Sequence, residues 1–101
     1  MLNSKTFLII NAIANKNNMA DVKLYLQSIM TVFGNNGGKP IARYKTIEKL
    51  AGDESPEMVA IIEFSSVKKI KNMMNGEDFV ALSDLRARAF TKLNIVICSE
   101  M

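Results

Sequence analysis

Apolar residues occur along the chain in two spacings, and each spacing predicts one kind of element. Short runs rich in β-branched residues, or loosely alternating with polar ones, are typical of strands. Four such segments are residues 6–14, 39–50, 58–64 and 92–99. Pro40, near the start of the second segment, indicates an edge strand or a strand opening, because proline cannot donate to a sheet ladder.

In the intervening segments apolar residues recur every three or four positions, which predicts helices. The first helix runs from about Asn18 to Gly34. Its inward positions are Val22, Leu26, Ile29 and Phe33. A second helix, capped by Ser66, carries an apolar face made of Val67, Ile70, Met73 and Met74. A third helix runs from about Phe79 to Phe90.

The resulting order, β-α-β-β-α-β, is that of the ferredoxin-like fold. We predict a single α+β domain over residues 1–101, with a four-stranded antiparallel sheet and helices on one face. The strands are apolar on both faces: in the first, Phe7 and Ile9 point away from Leu8 and Ile10. Helices can cover only one face, and a bare apolar sheet exceeds what soluble monomers usually expose. We therefore predict a homodimer packed sheet to sheet, a dimeric α+β barrel.

Composition removes several classes of chemistry. The chain has 101 residues, with no His, no Trp and one Cys. A His-based catalytic triad, a His-ligated zinc and an intrachain disulfide are therefore excluded, and we expect neither metal nor cofactor. Cys98, on an apolar strand, is expected to act as a small hydrophobic side chain.

Charge and hydropathy bear on partners and location. Thirteen basic and ten acidic residues give a net charge of +3, too mild for a dedicated nucleic-acid binder. The densest basic cluster, Lys68, Lys69 and Lys71, is interpreted as a solvated helix face. No run approaches the roughly 20 apolar residues that span a bilayer, and no signal peptide is evident. We predict a cytoplasmic protein without nucleic-acid or membrane partners.

Several short segments resemble a known family. The matching segments are Gly37-Gly38, Ala42-Arg43, Leu50-Ala51-Gly52-Asp53, Ile61-Ile62-Glu63-Phe64, Asp78-Phe79 and Leu85-Arg86. Together they resemble the domain of unknown function 1330 family, within the dimeric α+β barrel superfamily, from about residue 6 to residue 100. The resemblance implies a ferredoxin-like protomer and a sheet-to-sheet dimer. It implies no activity, because the family is named for lacking one.

The chain also departs from this family pattern. Ser65 stands where relatives usually have proline, and Met73-Met74 stands where a Trp-Tyr pair is common. Tyr44-Lys45 replaces a frequent Gly-Gly. If the aromatic residues line a ligand cleft in relatives, the cleft of this chain is less aromatic.

Arg43 and Glu63 are the first candidate site residues. They lie on neighbouring predicted strands, and a half-buried charge is costly unless it is paired. One interpretation is a structural cross-strand ion pair between them, or a simple edge charge. The other is a polar anchor in a cleft between sheet and helices, where the guanidinium of Arg43 binds a carboxylate or a similar anion.

Three further residues are weighed in the same way. Arg86, on the third helix, points either inward toward Glu63 or outward beside Arg88. Asn11 interrupts an apolar strand and needs hydrogen-bond partners, which suggests a structural bond or a strand irregularity more than catalysis. Tyr44 is a candidate donor in the same cleft, although a strand tyrosine usually serves packing.

These residues support two main function hypotheses, and whether the protein is an enzyme stays open. The first is a binding module that holds a small metabolite, anionic if Arg43 is its anchor, in the cleft between sheet and helices. The second is a cofactor-free enzyme of the dimeric barrel type, monooxygenase-like or isomerase-like, which rests on fold analogy. RNA binding is disfavoured, because the third strand offers no aromatic residue before Phe64.

Overall fold

The computed structural model describes residues 5–53 and 55–101 and contains the predicted strands and helices in order. The strands are β1 (Thr6–Ala14), β2 (Lys39–Lys45), β3 (Met58–Phe64) and β4 (Phe90–Ser99). The helices are α1 (Met19–Asn35), α2 (Val67–Met74), α3 (Glu77–Val80) and α4 (Ser83–Ala89). A 3-10 turn, Lys16–Asn18, joins β1 to α1.

Strand β2 ends at Lys45, five residues before the predicted end at Leu50. The chain turns at Thr46, whose backbone N–H donates to the Glu57 carbonyl at 2.9 Å. The Thr46 hydroxyl also donates to the carbonyl of Pro56. These two hydrogen bonds close the neck of the loop between β2 and β3, so the alternation seen beyond Lys45 is not part of a strand.

The predicted third helix is divided in two. Turn residues Ala81 and Leu82 separate α3 from α4, and the Ser83 hydroxyl donates to the Val80 carbonyl at 2.7 Å. Such a local side-chain bond competes with the regular helical ladder. Phe90, predicted as the last helical residue, begins β4 instead.

All four strands pair antiparallel, in the order β2-β3-β1-β4. Leu8 of the central strand β1 lies opposite Ile62 of β3 and Ile97 of β4. Residues opposite one another share a face of the sheet, so these positions define the face that the helices cover. The β2–β3 register shifts between Pro40 and Ala42, which sets the face of every later residue of β2.

The core lies between the helices and this face. Leu8, Ile62, Phe33 and Ile70 are its largest fully buried side chains. Val22, Ile29 and Phe33 of α1 are buried as predicted, Tyr25 and Val32 join them, and Leu26 packs against the cluster from a half-buried position. Val67, predicted to point inward, is 44% exposed at the start of α2.

No helix formed by residues 5–53 or 55–101 covers the opposite face. Its residues are Phe7, Ile9, Asn11 and Ile13 of β1, Val59, Ile61 and Glu63 of β3, Lys92, Asn94, Val96 and Cys98 of β4, and Lys39, Ala42 and Tyr44 of β2. The protein is a slab of 46 × 35 × 18 Å, thick enough for one sheet and one helix layer. We call this surface the helix-free face.

Candidate functional site

The main cleft opens where the start of α1, the end of β2 and the neck of the β2–β3 loop meet. Its volume is about 760 Å³. Val22, Leu26 and Met58 give it an apolar wall, and Lys16, Arg43, Lys45 and Glu57 supply the charges. The remaining lining residues are Ala14, Met19, Tyr44, Thr46, Ser55 and Pro56.

Arg43 occupies the boundary between this cleft and the core. It lies opposite Ala60, so it belongs to the helix-covered face. A narrow cavity of about 30 Å³ between α1 and the sheet shares Arg43, Leu26 and Met58 with the cleft. The cleft therefore continues into an apolar recess, and Arg43 stands where the two adjoin.

The charges of the cleft are unevenly paired. Glu57 accepts the backbone N–H of Ala14 at 3.0 Å and lies 4.0 Å from the Lys16 ammonium group. Arg43, by contrast, makes no hydrogen bond or ion pair with any residue that the structure describes. Among the described lining residues there are three cations and one carboxylate, so this part of the cleft has a positive balance and one guanidinium without a partner there.

Glu63 lies away from this cleft. It pairs with Lys39 of β2 and Phe7 of β1, on the helix-free face. Arg43 pairs with Ala60, three positions earlier on β3, and residues an odd number apart on a strand point to opposite faces. The predicted cross-strand ion pair is therefore wrong for this protomer, and so is the idea that both residues line one cleft.

Arg86 points inward, but toward α1 and α3, not toward Glu63 or outward beside Arg88. Its Nε donates to the Tyr25 hydroxyl at 3.0 Å, and an Nη donates to the Phe79 carbonyl at 3.1 Å. Its Cζ lies 4.2 Å from the centre of the Phe79 ring. Burial raises the pKa of Tyr25, and the bond and charge of Arg86 partly oppose that shift. Arg86 is thus a structural link between helices.

The last two candidates lie on or near the helix-free face. Asn11 pairs with Val59 and Asn94, and its side chain has no hydrogen bond to any described residue. The irregularity of β1 lies between Ile13 and Ala14, so the strand irregularity predicted at Asn11 is wrong, and the predicted hydrogen bond is not made to any described residue of this protomer. Tyr44 contributes to the rim of the cleft, but its position opposite Val59 turns it toward the helix-free face, where it is 62% exposed.

Sequence reasoning missed Lys16, Leu26 and Glu57 as cleft residues. Lys16 and Glu57 stand in polar connections, and no spacing along the chain indicates that these connections meet. Leu26 carried a signal, because it lies on the predicted inward face of α1. Its role as a wall depends on the gap between α1 and β2.

Two other classes of site are not found in the described ranges. No three His, Cys, Asp or Glu residues there are grouped so that they could hold a metal ion. Among the helices of residues 5–53 and 55–101, none is long and apolar enough to cross a membrane.

Comparison with known proteins places the chain in a family. The model of the domain of unknown function DUF1330 matches residues 5–101. The chain belongs to this family. No curated protein matches the DUF1330 chain significantly.

Solved structures agree with the fold. A protein of unknown function from Rhodopseudomonas palustris has a TM-score of 0.80 at 17% identity, with 99% of this chain and 85% of that chain covered. A protein from Nitrosomonas europaea, described as a candidate antibiotic biosynthesis monooxygenase, has a TM-score of 0.64 at 9% identity, covering 100% and 94%.

A third structure, from Bacteroides fragilis, is described as a dimeric protein of unknown function with a ferredoxin-like fold. Its TM-score is 0.60 at 11% identity, and 95% of this chain and 96% of that chain are covered. At these identities the likeness concerns the fold: this DUF1330 chain is a ferredoxin-like α+β protein, and dimeric relatives support self-association.

Proposed function

We propose that this protein binds a small amphipathic anion, such as a medium-chain carboxylate, in the main cleft. The proposal rests on the guanidinium of Arg43, which has no hydrogen bond or ion pair with any described residue and lies beside an apolar wall. The carboxylate would meet Arg43 in a bidentate contact, with Lys45 nearby, and the apolar body would pack on Leu26 and Met58.

Position makes Arg43 a better anchor than the other cations of the cleft. It borders both the cleft and the apolar recess beneath it, so an anion held there meets apolar side chains on one side, although Arg43 is itself exposed to solvent. Lys16 lies 4.0 Å from Glu57 and is 84% exposed at its side chain. An anion at Arg43 thus gains a charge-assisted bond, while its apolar part loses water.

The enzyme hypothesis has less support in this cleft. The chain offers no His, and the carboxylate of the cleft, Glu57, accepts the Ala14 N–H and faces Lys16. Glu57 retains free lone pairs, but both of its carboxylate oxygens are turned to partners within the protein, and no His stands beside it to relay a proton. Binding without catalysis is accordingly the function we propose, in the cytoplasm, where Cys98 would stay reduced.

Thermal unfolding with sodium octanoate and neutral octanol as probes tests this function. Octanoate should raise the Tm, because a ligand that binds only the folded state stabilises it, whereas octanol should have a much smaller effect. Arg43→Gln should weaken octanoate binding about tenfold, roughly the loss of one charge-assisted contact. Lys71→Gln, which removes an exposed cation on α2 outside the cleft, is the matched control. No shift with octanoate, or an equal shift in Arg43→Gln, would refute the proposal.

The protein is also proposed to act as a homodimer joined through its helix-free faces. Its accessible surface is 7020 Å², about 1,300 Å² more than a monomer of 11.2 kDa ordinarily exposes. A standard interface removes about 800 Å² per partner, and the excess, which also includes the exposed loop residues Ile47 and Leu50, is compatible with an interface of that size. Sedimentation equilibrium should give twice the chain mass, and a stable monomer at micromolar concentration would contradict it.

A further inference from the structure

Two amide side chains lie next to each other on the helix-free face. Asn11 of the central strand β1 and Asn94 of the edge strand β4 are register partners. The adjacent row toward the middle of the face is apolar, with Ile9 opposite Val96. Val59 lies on the other side of Asn11. On the opposite side from this apolar row, Lys92 and the loop residues Ser55 and Pro56 line a small pocket together with the two amides. The amides therefore lie at the border between an aliphatic stripe and a polar end of the face.

Neither amide has a partner among the residues that the structure describes. The side chains of Asn11 and Asn94 make no hydrogen bond with any residue in the described ranges. Asn11 is half-buried and Asn94 is exposed, so water satisfies both amides in an isolated protomer. A second sheet on this face would remove that water, and each amide would then need a partner across the interface.

Aliphatic side chains alone do not determine how two sheets are placed. Contacts among Ile9, Val96 and Ile61 are non-directional, so several offsets of the two sheets bury similar areas. Amide groups are directional, and most offsets would leave them unpaired. A two-fold interface presents the same amide pair on the partner, and the two pairs meet only in a placement whose symmetry axis passes close to the Asn11–Asn94 row.

We propose that Asn11 and Asn94 determine the relative placement of the two protomers by hydrogen bonding across the interface. This inference rests on the proposed dimer and assigns its specificity to one polar pair. A single polar Asn in an apolar interface is known to select register at a cost in stability. The aliphatic rows supply affinity, and the amides exclude offset arrangements.

Distances between spin labels test the placement directly. In a Cys98→Ala background, Gln27→Cys on the exposed side of α1 provides one label per chain, so every measured distance joins two protomers. Double electron–electron resonance should give one narrow distance peak for the protein that has both amides. The Asn11→Leu/Asn94→Leu variant, which is nearly isosteric, should give a broad or multiple distribution.

Dissociation constants provide a second readout that does not depend on the label. Asn11→Leu alone leaves the opposing amides without partners, and it should raise the dissociation constant at least tenfold. The double variant removes both groups and should recover most of that loss. Asn72→Leu, an exposed change on α2, is the matched control and should change neither readout. If the leucine variants do not fold, valine at both positions tests the same idea.

The outcomes separate this inference from the dimer itself. A narrow, unchanged distance peak in the double variant, or single variants that bind as tightly as the parent, would overturn the role of the amides. Absence of any inter-protomer distance in the parent would instead refute the proposed dimer.

Discussion

The buried hydroxyl of Tyr25 needs a hydrogen-bond partner, and Arg86 supplies it. Tyr25 is 3% exposed, and its hydroxyl is satisfied by the Nε of Arg86. Arg86→Met should lower the free energy of unfolding by about 2 kcal/mol, because a buried polar group then loses its partner. Adding Tyr25→Phe removes the orphaned group and should recover part of this loss. Urea unfolding at fixed protein concentration measures both changes.

Arg88→Met is the control for that experiment. Arg88 lies on the same helix and pairs with Asp21 at 3.3 Å, but its side chain is 56% exposed. An exposed ion pair contributes at most about 1 kcal/mol, so its loss should be small. Equal losses at Arg86 and Arg88 would show that Arg86 is an ordinary surface charge.

At the scale of elements, the turn from α1 into β2 depends on Gly38. A Cβ at Gly38 would lie 2.7 Å from Cζ of Phe64 and 2.9 Å from the Phe33 carbonyl oxygen. Phe33 and Phe64 are in edge-to-face contact, with ring centres 6.0 Å apart, so neither can move freely. Gly38→Ala should therefore lower the free energy of unfolding by about 2 kcal/mol, as other overpacked core sites do.

Gly34→Ala is the matched change in the last turn of the same helix. A Cβ at Gly34 would meet no atom within 4 Å, and alanine favours the helix by about 0.5 kcal/mol or more. Thermal unfolding should therefore show opposite signs for the two substitutions. A Gly38→Ala variant with unchanged stability would mean that the two phenylalanine rings move aside at little cost in free energy.

For the whole molecule, the helix-free face should control assembly. Ile9 lies between Ile61 and Val96 at the centre of this face. Ile9→Lys would bring two charges into a desolvated interface, so sedimentation velocity should show a monomer. Leu24→Lys, on the exposed side of α1 at 52% exposure, should remain dimeric. Circular dichroism of both variants checks that folding is retained, and a dimeric Ile9→Lys protein would contradict the assembly.

Much of the fold was predictable because strand and helix periods are local properties. Segments 6–14 and 58–64 were correct to the residue, since each is a dense apolar run between polar connections. The second strand was predicted too long, and the third helix was not predicted to divide. At both places a threonine or serine hydroxyl donates to a backbone carbonyl and ends the regular element. The spacing of apolar residues does not reveal such hydrogen bonds.

The candidate site was less predictable. Arg43 lies in the cleft, but Glu63 and Asn11 are on the opposite face, and Arg86 links helices instead of facing a ligand. A one-residue shift in pairing reverses the face of a strand residue. The register shift between Pro40 and Ala42 is of this kind, and although proline favours an edge or a bulge, it does not predict the register that follows.

The sequence by itself determined the order of elements, the family, the excess of apolar surface and the absence of His chemistry. The order of elements follows from short spacings, which are local, and the apolar excess and the lack of His follow from composition, which is a sum over the chain. Tertiary structure alone decided which charges share a cleft and which amides share a face. Such relations join residues from distant segments, as Arg43 with Leu26 or Asn11 with Asn94, and depend on strand register and the packing of α1 on the sheet.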